Sequence, residues 1–358
     1  MIIVASAFLI SLLFSILLTP LMRMLSLRVD LVDVPGDRKK HRLETPLLGG
    51  VAIFVAFSAA IVTGLLLWPN ISEGRIADTP LNWQSLGVMV LAGGFLMMLT
   101  GLVDDLMDIK PRWKLVLHTV SALLVGIYFV IKGAQLRLFL HGGGLAWLAV
   151  PVTVFWLVGI TNSFNLLDHA DGLAAGTAAI AALFFTMVNM LNGNFAVGFI
   201  AAAVGGASLG FLVYNYNPAS VFMGDCGSNL LGFMLGLIAV LGVYTPAGSI
   251  RELAVLTPVL VLAVPIVDTL LVVVYRKAKG APLMKADRNH LAHRLMRIGL
   301  THREAVVLLY VMAFLLGVLA LLLPTLAPYQ AALIFVHALG VVWLVTFFIR
   351  KGEKSRSG

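Results

Sequence analysis

The feature that most constrains this chain is the recurrence of apolar runs about 18–23 residues long, the length an α-helix needs to cross a hydrocarbon core. Eleven such runs are read at 1–22, 47–68, 85–103, 115–132, 145–163, 173–191, 195–214, 230–245, 253–275, 304–327 and 331–349. Across the 358 residues, 60% are hydrophobic and 12% charged, which excludes an ordinary soluble domain. The expectation is an all-α, polytopic integral membrane protein forming one domain over 1–358. The first run has no basic segment ahead of it and no small-residue cleavage pattern before Arg23, so it reads as a retained helix. The single cysteine, Cys226, excludes an intramolecular disulfide framework.

The positive charges sort by connecting segment. The odd-numbered loops and the C-terminal segment carry 21 of the 25 Lys and Arg residues. The even-numbered loops and adjoining span ends keep Arg75, Lys132, Arg137 and Arg251. Cytoplasmic loops are enriched in Lys and Arg, so the odd loops and the C-terminus are expected in the cytoplasm and the N-terminus outside.

Under that assignment every polar cluster of interest falls on one side. The first loop holds Arg38, Lys39, Lys40, His41, Thr45, Gly49 and Gly50, which suits either a topogenic contact with lipid headgroups or phosphate binding. The third holds Asp104, Asp105 and Asp108, spaced to share a helical face, then Arg112 and Lys114. Carboxylates this close cost free energy unless a cation offsets them, and acids beside cations suit a metal-bridged polyphosphate. In the fifth, Asn162, Asn165, Asp168 and Asp171 recur at steps of three before Gly172, which would let the chain turn; their oxygens are hard ligands for Mg²⁺.

In the seventh loop Asp225 stands between Gly224 and Gly227, where exposed backbone N–H groups suit a metal-bound phosphate or simply start a helix. The ninth holds His290, His293 and Arg294. Two histidines three apart match a transition-metal spacing, but no cysteine or Glu-x-x-His partner accompanies them, so hydrogen bonding to a sugar or phosphate is the better use. Within the spans, Asp268, His118 and His337 would be costly facing lipid, so each is expected to face the bundle interior.

Taken together, Arg38-Lys39-x-His41, Asp104-Asp105-x-x-Asp108, Asn162-x-x-Asn165-x-x-Asp168-x-x-Asp171-Gly172 and Phe222-Met223-Gly224-Asp225-x-Gly227-Ser228 resemble the polyprenyl-phosphate N-acetylhexosamine-1-phosphate transferases, glycosyl transferase family 4. The resemblance runs from about Asp33 to Arg303. It departs at Ala292, where a histidine is usual, at His169, where many relatives have glycine, and at Cys226, where many have Ser or Thr.

The resemblance implies transfer of an N-acetylhexosamine 1-phosphate, foremost N-acetylglucosamine 1-phosphate, from a UDP-sugar to undecaprenyl phosphate, with release of UMP. It implies Mg²⁺, or Mn²⁺ in its place, held by Asp225 and Asn165, with Asp104, Asp105 and Asp168 catalytic. Lys114, Asp171, Asn215, Lys40 and Thr45 would hold the nucleotide, and His290, His293, Arg294, Arg38 and His41 the sugar and phosphates. Direct attack and a phospho-aspartyl intermediate both stay open. The implied partners are UDP-N-acetylhexosamine, undecaprenyl phosphate and the bilayer of the cytoplasmic membrane; a homodimer is compatible, and no nucleic acid is expected. The nearest rival is the lipid I translocase, which uses UDP-MurNAc-pentapeptide. A transporter would need polar groups along a route to both faces, and the outer loops are nearly devoid of them.

Overall fold

A computed structural model describes residues 1–33, 45–69, 82–107, 109–131, 148–244, 252–282 and 289–357. Arg38, Lys40, His41 and Asp108 lie outside them. The helices run in order as α1 (Ile2–Arg28), α2 (Gly49–Leu67), α3 (Trp83–Met107), α4 (Pro111–Ile131), α5 (Ala149–Leu167), α6 (Leu173–Leu191) and α7 (Phe195–Asn215). They continue as α8 (Gly224–Leu241), α9 (Thr257–Val261), α10 (Ala263–Ala278), α11 (Leu291–Arg297), α12 (His302–Leu322) and α13 (Pro328–Ser357). Among the described residues nine helices are long and apolar enough to cross a membrane, or ten when the bent pair α9–α10 is counted as one span. The all-α polytopic expectation holds, and α4 lies where the fourth span was read.

α8 is the axis of the bundle. Every residue from Cys226 to Leu241 is buried, as expected of a helix apolar on all sides. α3, α5 and α2 pack around it, while α1 lies along α7. The stripe Ala7, Ser11, Ser15 and Thr19 on α1 is enclosed, and the Ser15 hydroxyl donates to the Ala207 carbonyl at 2.8 Å. Small residues let the two backbones approach closely where lipid offers no hydrophobic drive to association.

Three expectations are corrected. The run read as one helix over 253–275 is broken: a 3₁₀ turn over Glu252–Leu256 leads into α9, and the chain bends by 76° before α10. Pro265 has no N–H for the Val261 carbonyl four residues back, and its ring crowds that oxygen, so the helix cannot run through. Asn162, Asn165 and Asp225, read as loop residues, lie inside α5 and the first turn of α8. Those helices extend beyond their apolar stretches because the polar side chains meet one another rather than lipid. His337 is exposed on α13, a peripheral helix with few enclosed positions, whereas His118 and Asp268 face the interior as expected. His118 lies 3.3 Å from the Asn162 carboxamide.

Candidate active site

The N-terminus of α8 is where the dispersed polar residues converge. α3 and α2 reach it at glycines: a Cβ on Gly101 would lie 2.2 Å from the Asp225 carbonyl oxygen, and one on Gly50 2.2 Å from the Gly227 nitrogen. Any side chain at either position would push a helix away from Asp225. The first loop is tied in by backbone bonds as well. Asp33 and Thr45 pair in a two-residue antiparallel ladder, and the Phe222 N–H donates to the Pro46 carbonyl at 2.8 Å. Thr45 is thereby buried beside the segment that leads into Asp225.

Asp104 and Asp105, adjacent in sequence, do different work. Asp105 accepts from the Asp225 and Cys226 N–H groups at 2.8 and 3.0 Å. It thus caps α8 from another helix, satisfying donors that a helix start leaves unpaired and placing negative charge at the positive end of the dipole. Asp104 instead accepts from the Ile109 N–H at 2.8 Å and pairs with the Lys114 ammonium at 2.8 Å. Lys114 stands in the first turn of α4, and its Nζ also donates to Asp225 and, at 3.1 Å, to the Asn165 carbonyl oxygen. Asn165 returns its amide to Asp225 at 2.6 Å and to the Ser228 hydroxyl at 3.0 Å. Asp104, Asn165, Lys114 and Asp225 therefore form one bonded centre from four helices, joined across more than a hundred residues of sequence.

Asp168 follows as the residue after α5. Burial, with the charges of Asp225, Asp105 and Asp171 added, pushes its carboxyl up to about 8. A cation already sits in the oxygen cage: the Lys114 ammonium touches Asp104, Asp225 and Asn165. That donor set, carboxylate and carboxamide oxygen without sulfur or imidazole, fits a hard ion such as Mg²⁺.

Of the residues expected to hold nucleotide, Lys114 lies in this centre, and Asp171 and Asn215 tie two loops together. Gly172 takes the turn expected of it, at φ +80°. The Asp171 carboxylate accepts from the Asn217 amide at 2.8 Å and the Ala219 N–H at 3.1 Å. Asn215 is buried, accepting from the Gly172 N–H at 3.0 Å and donating to the Val221 carbonyl at 2.9 Å.

The ninth loop builds a second cluster. Asp268 on α10 accepts from the Leu291 N–H at 2.6 Å and lies 2.7 Å from Nδ1 of His290, so it caps α11 and grips its first imidazole. The His169 ring stacks on His290 with centroids 4.3 Å apart and tilts against His293 at 4.7 Å. Burial pushes the His169 imidazole down to about 3, with His290 adding to the effect. Ala292 is fully buried as part of the hydrophobic core. Arg294 is held in a two-point grip by Glu353 near the end of α13, at 3.2 and 3.0 Å, and Arg297 joins the same carboxylate at 2.8 Å. Sequence reasoning missed Glu353 and the part His169 plays. Glu353 lies 59 residues from Arg294 with no local pattern to flag it; His169 stood out only as a departure from glycine.

Comparison with known proteins shows the family. The family model described as glycosyl transferase family 4 matches residues 87–243. A probable undecaprenyl-phosphate N-acetylglucosaminyl 1-phosphate transferase of Bacillus subtilis (strain 168) is 32% identical over 328 residues, covering 90% of this chain and 86% of the relative. A decaprenyl-phosphate N-acetylglucosaminephosphotransferase of Mycolicibacterium smegmatis is 32% identical, covering 92% of this chain and 85% of the relative. A phospho-N-acetylmuramoyl-pentapeptide-transferase of Bacillus anthracis is 29% identical, covering 88% and 94%.

Proposed function

Because the chain belongs to glycosyl transferase family 4, we propose that it transfers N-acetylglucosamine 1-phosphate from UDP-N-acetylglucosamine to undecaprenyl phosphate at the cytoplasmic face of the cytoplasmic membrane. An oxygen of the lipid phosphate forms a bond to the β-phosphorus of the donor as the bridging P–O bond breaks. UMP leaves, and undecaprenyl-diphosphate-N-acetylglucosamine stays in the bilayer. The observation that carries the reading is the centre of Asp104, Asn165, Lys114 and Asp225 at the ends of four helices, where a lipid-borne phosphate and a soluble nucleotide can meet.

Asp225, Asn165 and Asp104 are the residues that would hold Mg²⁺. Bound there, the ion supplies positive charge to the diphosphate oxygens and screens the repulsion between two anionic substrates. Lys114 adds a second cation within reach of the same oxygens. Asp105 has both oxygens engaged by the start of α8, so its part is to hold Asp225 in place. Asp104 remains to take the proton of the lipid phosphate or orient it, and Asp168, which burial holds protonated, to orient it through its O–H. Asp171, Asn215 and Thr45 shape the walls for the nucleotide, with Lys40 expected alongside. His290 and His293 face the sugar end, with Arg38 and His41 expected near the phosphates. Arg294 acts through its grip on Glu353, which holds α11 in position.

The test is a radiolabelled-donor assay in detergent with undecaprenyl phosphate and Mg²⁺, offering UDP-GlcNAc, UDP-GalNAc and UDP-MurNAc-pentapeptide in parallel. Lipid-linked product from UDP-GlcNAc, lost on adding EDTA, is expected. Product from the pentapeptide donor alone would assign the chain to lipid I synthesis, the activity named for its 29%-identical relative.

A further inference from the structure

We propose that His169, Asp268 and His290 form a binding site for a transition-metal ion of the Zn²⁺ class, separate from the oxygen cage at Asp225. From sequence alone the ninth-loop histidines lacked partners for such an ion. The fold supplies them from two other elements: the α5–α6 turn brings His169 and α10 brings Asp268. One ligand atom from each of the three lies within 4.8 Å of the others.

The decisive atom is Nε2 of His169. It is buried and has no hydrogen-bond partner among the described residues. The other ring nitrogen, Nδ1, lies 2.9 Å from the Leu166 carbonyl. A carbonyl can only accept, so Nδ1 carries the proton and Nε2 is left with a bare lone pair. A backbone carbonyl that fixes one imidazole nitrogen while the other points at a cation is the usual support of a metal-bound histidine. An unmet acceptor in a buried position is costly unless something donates to it or coordinates it.

Asp268 offers a carboxylate that is itself almost fully buried, and His290 stands 2.7 Å from it through Nδ1. Nδ1 of His290 donates its proton to Asp268 in the metal-free site, so an ion would bind by displacing that proton, with His290, Asp268 and His169 each offering one ligand atom. Two imidazole nitrogens and one carboxylate oxygen suit a borderline ion such as Zn²⁺ and leave a position for water. The Asp225 cage offers oxygens alone and favours a harder ion. The two sites therefore select different metals by ligand type. Because His290 also faces the sugar end of the proposed site, an ion here would compete with the donor; that consequence rests on the proposed function, while metal binding itself does not.

The experiment uses tag-free, full-length protein in detergent, stripped with EDTA and titrated with Zn²⁺ by calorimetry, with Co²⁺ absorption as a second readout of imidazole coordination. One Zn²⁺ per chain is expected for the wild type. His169→Gln should weaken it on the order of 100-fold and abolish the Co²⁺ bands, while Asp225→Asn should leave it intact. Asp268→Asn should also weaken binding, but Asp268 caps α11, so the partly exposed His169 carries the test. Wild type binding Zn²⁺ no more tightly than His169→Gln would overturn the site. Zn²⁺ should also inhibit transfer by the wild type and spare His169→Gln. Intact Zn²⁺ binding with no transfer from any donor would instead count against the proposed function and leave the site standing.

Discussion

α8 and α11 begin in the same way. In each case an aspartate from a neighbouring helix, Asp105 for α8 and Asp268 for α11, takes up the helix's first donors. What surrounds the two caps differs. At α8 the neighbours are Asp104, Asn165, Asp225 and a lysine; at α11 they are His169, His290 and His293. The cap sets where a helix starts and therefore where its first side chains stand, and the neighbours decide the chemistry. One scaffold device thus yields a cluster of carboxylate and carboxamide oxygens around a lysine in one place and an imidazole cluster in the other.

The comparison breaks most sharply at Asp225. Asp225→Asn keeps the shape and one oxygen but loses the charge that opposes Lys114 and would hold the ion. Turnover should fall about 10³-fold at saturating Mg²⁺, read in the labelled-donor assay. Near-wild-type turnover would remove Asp225 from the proposed role. His293→Gln, the counterpart change in the other cluster, should raise KM for the UDP-sugar and leave kcat within about tenfold.

Removing the caps themselves sharpens the distinction. Asp105→Ala leaves two N–H groups at the start of α8 without their acceptor, and lost caps cost about 1–2 kcal/mol. Since Asp225 rides on that first turn, kcat should drop by about 10²-fold. Asp268→Ala frees the start of α11 and should act mainly on KM. Equal kcat losses in the two variants would mean that the α11 cluster takes part in the chemical step.

How far this was legible in the sequence follows the range of the forces. Spans are local, since apolar length marks them, and the charge count put Asp104, Asn165, Asp168 and Asp225 on one side before any contact was known. Pro265 was in plain view and could have flagged the break before α10. The division of labour between Asp104 and Asp105 was not legible, because neighbouring residues on a helix point some 100° apart and which one meets α8 depends on packing. Nor was the pairing of Asp268 with His290, or of Arg294 with Glu353, 22 and 59 residues apart. Such partners are chosen by how helices pack, which hydropathy does not record.

A smaller effect separates the clusters by pH. The Asp168 carboxyl, pushed up to about 8 by burial and by Asp225, Asp105 and Asp171, ionises near the ordinary aspartate value of 3.8 once unfolded. Between those values the folded state holds a proton that the unfolded state has released, so raising pH favours unfolding, and the effect levels off above about 8. Metal-free protein should therefore lose thermal stability from pH 5 to pH 8 more steeply than Asp168→Asn does. Mg²⁺ should flatten the wild-type slope by stabilising the ionised carboxyl. Parallel slopes in EDTA would show that Asp168 is not held protonated.

The smallest effect is expected at the far end of α13. Glu353 is partly exposed and grips Arg294 and Arg297 together, so solvent screening limits the value of the pairing to about 1 kcal/mol or less. Glu353→Gln keeps the shape and removes the charge. With the grip loosened, α11 shifts more freely against α10, and the imidazole cluster loses definition while the Asp225 cage, built from other helices, does not. KM for the UDP-sugar should rise two- to fivefold (roughly the cost of one exposed pair) with kcat unchanged, measured against Arg294→Lys, which keeps the charge but not the two-point geometry. A fall in kcat for Glu353→Gln would instead couple the end of α13 to the α8 centre, and the two helix entrances would no longer be independent.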